Sequence, residues 1–230
     1  PFKNDYVHII VIEWNKTHNF RMKLFPVSLF FLETILCFAC GDDDATPTAS
    51  ALEFFPLEVG ASWVYETTLE GESEPVGLDT ITVLTSFVDG EDIVYELSPA
   101  SDFFVRSYFP SSLRLRNGKL FIDSATDTTL FLTVDPADEG DIVRTSVLPE
   151  DLGTIEYRYE EDLELVITPA GSFDCINFQG QILATDPDAA TNEFILNNYF
   201  SEGVGLVQAN NYFWTSGRKL EIQLVSFSLP

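Results

Sequence analysis

The sequence predicts an all-β protein: a single antiparallel domain built as a curved sheet, a sandwich or a partly open barrel. Three observations predict it. Apolar and β-branched residues recur at every second position in many short runs. The runs are separated by turn-forming pairs such as Asp89-Gly90, Asn117-Gly118 and Ser216-Gly217. Beyond residue 52, no stretch carries an apolar stripe at helical spacing through three turns.

In chain order, residues 53–65 read as a first strand reached through a turn at Gly60, and residues 62–69 alternate with Trp63, Tyr65 and Thr67 on one face. Residues 79–88 form a β-branched strand with Ile81, Val83, Thr85 and Phe87 alternating. Asp89-Gly90 turns it into a strand at 92–97. Residues 103–109 read as another strand. Asn117-Gly118 joins the strands carrying Leu113 and Leu115 and Leu120 and Ile122. Strands follow at 128–134, 142–148, 154–160, 163–168 and 172–184, with a turn at Pro169-Ala170-Gly171. Residues 193–199 have no clean period and read as either a helical turn or a strand. Gly203-Val204-Gly205 leads into a strand, Asn210-Asn211 and Ser216-Gly217 read as turns, and residues 219–229 close the domain. No segment is rich enough in Gly, Pro or Ser to cut residues 52–230 in two, and no fixed-period repeat is present.

The N-terminal part has a different character. Met22 and Lys23 precede a run of 16 mostly apolar residues, 24–39, interrupted by Glu33. That is a basic start, an apolar core and a small residue at the end, as in an export signal. A membrane-spanning helix needs about 20 residues, so the run is short for a permanent span. Residues 1–21 read as an upstream extension, 22–39 as a signal peptide, and 40–51 as a flexible acidic tether.

The chain carries 37 acidic and 12 basic residues, for a net charge of −25. Three of the acids and four of the bases precede Cys40, leaving 34 against 8 beyond it. Such a surface repels phosphate backbones, which argues against nucleic acid as a partner. Both histidines, His8 and His18, lie before Met22. A chain that starts at Cys40 therefore has no Ser-His-Asp triad, no Cys-His pair and no His-bearing zinc site. Cys175 reads as a small buried apolar group. No Lys-Ser/Thr follows Gly203–Gly205, so no phosphate loop is present. No cofactor and no catalytic residue is assigned. The acids at Asp135, Asp138, Glu139 and Asp141, and at Asp186, Asp188 and Glu193, could each hold Ca²⁺ through oxygen ligands, but neither loop has the full calcium-loop spacing and a solvated turn is the better reading.

Cys37-Phe38-Ala39-Cys40, followed by Gly41-Asp42-Asp43-Asp44, resembles the lipobox and acidic tail of Bacteroidetes lipoproteins, although Cys37 and Phe38 depart from the usual pattern. The resemblance extends into the body through Phe55-Pro56-Leu57 with Gly60, Trp63 and Tyr65, then residues 167–175, then residues 199–207. It implies that Cys40 is acylated with palmitate-like chains and holds the protein on the outer membrane, facing either the periplasm or the cell surface. Two or three chains make such attachment stable. It implies no activity; this class of outer-membrane lipoproteins is functionally uncharacterised.

The expected function is that of a non-catalytic, lipid-anchored envelope protein that binds an apolar ligand or an envelope partner protein. The aromatic content motivates it: Trp63, Tyr65, Phe103, Phe104, Tyr108, Phe109, Tyr199, Phe200, Tyr212, Phe213 and Trp214 could line a cavity or a contact patch. The alternatives are a purely structural or assembly lipoprotein and a carboxylate-dependent enzyme acting on glycans.

Overall fold

Strand β1 (Ser62–Leu69) pairs antiparallel on one side with β2 (Gly77–Asp89) and on the other with the last strand, β13 (Lys219–Ser228). The two ends of the body are thus tied together through one ladder. The computed structural model describes residues 50–123, 128–148, 152–186, 194–213 and 216–230. All of these fall in one compact unit.

From β1 the sheet extends in two directions. One arm is a meander: β2, β3 (Asp92–Leu97), β4 (Ser112–Arg116), β5 (Lys119–Asp123) and β6 (Thr128–Leu132). The other arm runs from β13 through β12 (Gly205–Tyr212), β11 (Asn198–Ser201), β9 (Gly171–Ala184) and β8 (Gly153–Thr168) to β7 (Ile142–Val147). The short β10 (Ile195–Leu196) pairs with β9 beside this path. β6 and β7 are consecutive in sequence yet stand at opposite ends of the strand order, so the sheet curls into a nearly closed barrel with its seam between them. At the seam the Arg144 side chain on β7 donates to the Leu130 carbonyl on β6 at 3.0 Å.

Inward-facing residues fill the barrel. Trp63, Tyr65 and Thr67 are fully buried, as their alternation requires, and so are Leu113, Leu120, Ile222 and Leu224. Phe55 sits at the centre of an aromatic cluster with Trp63 at 4.9 Å and Phe109, Phe131 and Phe200 at 6.1–6.2 Å between ring centroids. Each such side chain contributes about 1.5–3 kcal/mol by burial. Asn117 and Gly118 both take positive φ, 49° and 75°, the pair of left-handed residues a two-residue hairpin needs between β4 and β5.

Several elements differ from the sequence expectation, each for a local reason. Residues 103–109 do not form a strand: Phe103–Tyr108 is a short helix, α2. Asp102 caps it, its carboxylate accepting the Val105 amide at 3.0 Å, and Val105 and Phe109 bury themselves one turn apart. Residues 51–54 are also helical (α1, Ala51–Phe54), closed by a reciprocal box between Ser50 and Glu53. Ala51 is fully buried, so Ser50 and Ala51 belong to the folded body and not to the tether. The separate strands expected at 154–160 and 163–168 are one continuous strand, β8, with a bulge between Glu160 and Glu164. A bulge between Val83 and Thr85 ends the inward alternation of β2, leaving Ile81 and Val83 buried but Phe87 exposed. Asn210-Asn211 is no turn; both residues lie inside β12. Of residues 193–199, without a clean period in sequence, Ile195–Leu196 form β10 and Asn198 and Tyr199 open β11, with Asn197 between them; residue 193 lies outside the described residues.

Candidate functional site: an interior cavity beside the seam

A cavity of about 150 Å³ opens inside the barrel next to the aromatic cluster. Tyr108 of α2, Ile122 of β5 and Phe131 of β6 come from one arm of the sheet. Arg144, Tyr157, Phe178, Leu196, Asn198, Phe200, Leu206, Asn210 and Asn211 come from the other. No Asp or Glu is among these lining residues.

The polar groups are set by the strands that carry them. Arg144 lies on the last strand of its arm, beyond which the ladder of that arm does not continue. Its guanidinium stacks over Tyr157, 3.5 Å from the ring centroid, and approaches Phe178 at 5.6 Å. Tyr157 and Phe178 are themselves stacked at 5.5 Å across the β8–β9 ladder. One guanidinium nitrogen reaches the Leu130 carbonyl, while the buried Nε has no hydrogen-bond partner. Among the described residues no carboxylate forms an ion pair with Arg144. The Tyr108 hydroxyl is likewise buried without a partner. Burial, reinforced by Tyr157 and Glu221, pushes its pKa well above the ordinary tyrosine value, so it stays a neutral donor and acceptor. Nearby Glu221 is bound by Lys219 at 2.6 Å and by Gln223.

The asparagines of the cavity wall have a structural task. The backbone ladder breaks at Asn197, between β10 and β11. There the Asn210 carboxamide accepts from the Asn197 amide at 2.9 Å and donates to the Ile195 carbonyl at 3.0 Å. Asn177 donates to the Asn197 side chain and accepts from the Asn198 amide, and Asn198 donates to the Phe178 carbonyl at 2.8 Å. Side-chain amides thus stand in for missing strand pairing.

Of the aromatics named from sequence, Tyr108 and Phe200 line the cavity, while Trp63, Tyr65 and Phe109 are core. Tyr199 donates to Glu164 at 3.1 Å, and Tyr212 stacks on Phe194 at 4.3 Å. The side chains of Phe103 and Phe104, and Trp214, lie outside the described residues, as do Cys40 and the segments 1–49. Arg144, Tyr157, Phe178 and the asparagines were not singled out from sequence. The available signal was Arg144 itself, a cation inside an apolar strand in a stretch with few bases.

The acidic turns are accounted for in part. Asp138 is bound by Lys119 and by the Thr133 hydroxyl, both at 2.6 Å, and Asp135 caps the turn at Pro136–Asp138. Asp188 and Glu193 lie outside the described residues. Among the described residues no cluster of three or more His, Cys, Asp or Glu side chains is arranged to hold a metal ion.

No protein-family model matches the chain, and no curated protein is similar enough to count as a relative. Three solved structures resemble it. A protein of Parabacteroides distasonis, provisionally described as a lipoprotein, shares 15% identity over 76% of this chain and 98% of its own, with a TM-score of 0.45. A provisionally exported protein of Bacteroides fragilis with a YmcC-like fold shares 10% identity over 75% of this chain and 97% of its own, at 0.44. The hypothetical lipoprotein YmcC of Escherichia coli shares 9% identity over 78% of this chain and 90% of its own, at 0.32. At these scores the likenesses add nothing to what the chain's own strand order establishes about its fold.

Proposed function

We propose that this chain is a lipid-anchored envelope protein, exported by residues 22–39 and held on the outer membrane by an acylated Cys40, whose barrel binds a small, mainly apolar molecule. The tether of residues 40–49 would leave the barrel free of the bilayer. The observation that carries the ligand reading is the cavity beside the seam, with walls from both arms of the sheet and aromatic and aliphatic side chains over most of its surface. A core built only for stability would be filled to native density there.

Two measurements test this. Labelled palmitate is expected to enter the wild-type protein and not Cys40→Ser; equal labelling of both rejects the anchor. Native mass spectrometry of the full chain, extracted gently from membranes, is expected to show a bound molecule of small mass. A protein that carries nothing, and takes up nothing from a panel of small apolar compounds, rejects the ligand.

A partner-protein reading has one observation in its favour. Leu163, Leu165 and Ile167, on one face of β8 where it runs on with β9, are each 64–70% exposed. If that stripe docks an envelope protein, Leu165→Lys abolishes a cross-link that the wild type forms in intact cells and leaves the ligand mass unchanged.

A further inference from the structure

We infer that the interior cavity takes a small organic monoanion, an apolar body of about six carbons bearing one carboxylate, with the carboxylate held by Arg144 and Tyr108. The inference deepens the ligand reading above and rests on it.

The argument starts from charge. A guanidinium removed from water is costly unless an anion or several acceptors replace its hydration. The Arg144 side chain is half-buried: it has the faces of Tyr157 and Phe178 and one carbonyl, but no carboxylate among the described residues, and its Nε is the atom withdrawn from water without a partner. The Tyr108 hydroxyl, on the opposite arm of the sheet, is a second buried donor without an acceptor at the same cavity. Buried polar atoms are satisfied in the great majority of cases, so two at one small cavity specify what enters it. The need is for acceptor oxygens carrying negative charge, which a carboxylate supplies and an alcohol or hydrocarbon does not.

Size and lining set the rest of the ligand. A cavity of about 150 Å³ matches one known to admit a benzene-sized molecule. Ile122, Phe131, Leu196, Phe200 and Leu206 would enclose its apolar part. One guanidinium and one neutral hydroxyl suit a single negative charge; a doubly charged phosphate would call for further cations, and Arg144 is the one cation among the described lining residues. The strongly acidic surface does not forbid this. Its field decays over about 8 Å at physiological salt, whereas Arg144 would touch the ligand. Glu221, the acid that acts on Tyr108, is not part of the cavity lining and is ion-paired with Lys219 at 2.6 Å.

The test uses benzoate and its uncharged counterpart benzyl alcohol, titrated calorimetrically into the full chain held in lipid nanodiscs, with empty nanodiscs as the blank. Benzoate is expected to bind at least tenfold more tightly than benzyl alcohol. Arg144→Gln and Tyr108→Phe are each expected to weaken benzoate roughly 10- to 100-fold, the range for a hydrogen bond to a charged group, and to change benzyl alcohol less than threefold. Tyr108→Phe keeps the ring, so it decides the matter if Arg144→Gln does not fold. Benzyl alcohol binding as well as benzoate, or both variants weakening the two probes equally, overturns the anion while leaving the apolar-ligand reading standing. Failure of both probes to bind overturns the two together.

Discussion

The Tyr65 hydroxyl on β1 donates to the Leu206 carbonyl on β12 at 2.9 Å, across 141 residues of chain. Two positions earlier on β1, the Trp63 indole N–H reaches the Val204 carbonyl at 2.5 Å in the same way. The Tyr65 bond is buried and the Trp63 bond partly so; they tie β1 to β12 and to the turn leading into it, elements that β13 separates in the sheet, and fix how tightly this side of the barrel curls. Tyr65 is wholly buried, and its pKa is driven well above the ordinary value by that burial, so the hydroxyl remains a donor. Tyr65→Phe keeps the ring and leaves the Leu206 carbonyl buried without this donor. The expected cost is about 1–3 kcal/mol, seen as a lower urea midpoint at unchanged slope. A loss under 0.5 kcal/mol, on the order of an ordinary surface substitution, would mean that water takes over the bond.

Asn210 joins elements where the backbone cannot. Asn210→Ala strands the Asn197 amide and the Ile195 carbonyl together, at an expected cost of about 2–4 kcal/mol. Hydrogen exchange should localise it: the Asn197 amide should lose its protection, while the β8–β9 amides keep theirs. Uniform loss of protection across the sheet would contradict a local joint.

The difference between what was legible in the sequence and what was not follows from the range of the interactions. Period-two alternation in β1 and β13 and the Asn117-Gly118 turn are local signals, and they placed the strands and the hairpin correctly. The misread segments are those where a side chain satisfies the backbone. Asp102 caps α2, Ser50 and Glu53 box α1, and Asn210 bridges a broken ladder; Asn and Asp occur equally in turns and in such roles. The α2 segment also has its apolar residues four apart, at Val105 and Phe109, a spacing that competes with the alternation of Phe103 and Val105. The aromatic content anticipated Tyr108 and Phe200 at the cavity. Arg144 was not anticipated, because its importance comes from standing at a seam between strands far apart in the sheet order.

Asp92 gives the fold an acid limb. Arg116 and Arg114 both hydrogen-bond its carboxylate, at 2.6–3.1 Å, and hold its pKa down to about 2. A carboxylate whose folded pKa lies below its unfolded value contributes stability that is present above the unfolded pKa, near 4, and lost as pH falls toward the folded one. Wild-type stability should therefore fall between pH 4 and pH 2 more steeply than that of Asp92→Asn. Carboxyl-carbon NMR should find the Asp92 midpoint at about 2; a midpoint near 4 would sever the link to the two arginines.

Cys175 is fully buried beside Val166 and Val207. Burial, with Asp174 and Glu164 adding to it, raises its thiol pKa to about 12. At pH 8 the thiolate is then roughly a thousandfold scarcer than for an ordinary cysteine, and labelling by iodoacetamide should be slower by at least that factor than in urea. Cys175→Ser supplies the background from other thiols. Fast native labelling would place the thiol at the surface and remove it from that small core.

The sharpest test of the packing is at Gly205, the first residue of β12. Its φ is +115°, which side-chain-bearing residues rarely adopt, and a Cβ there would come within 2.8 Å of the Phe55 ring and 2.9 Å of the Trp63 indole nitrogen. Those rings belong to the central aromatic cluster, and the indole is the group that binds the Val204 carbonyl, so neither can move without breaking another contact. Gly90, by contrast, has φ of +67° in the β2–β3 turn and open space around it. Gly90→Ala should cost about 1 kcal/mol, from backbone strain alone. Gly205→Ala carries the strain and the overpacking together, each about 1–3 kcal/mol. The expected ordering is a Gly205→Ala protein at least 2 kcal/mol less stable than Gly90→Ala in urea unfolding, with a blue-shifted or quenched Trp63 emission marking where the damage lies. Equal stability of the two variants would show that the Phe55–Trp63 pair yields to the methyl group, and that the interior of this barrel is more loosely packed than its burial implies.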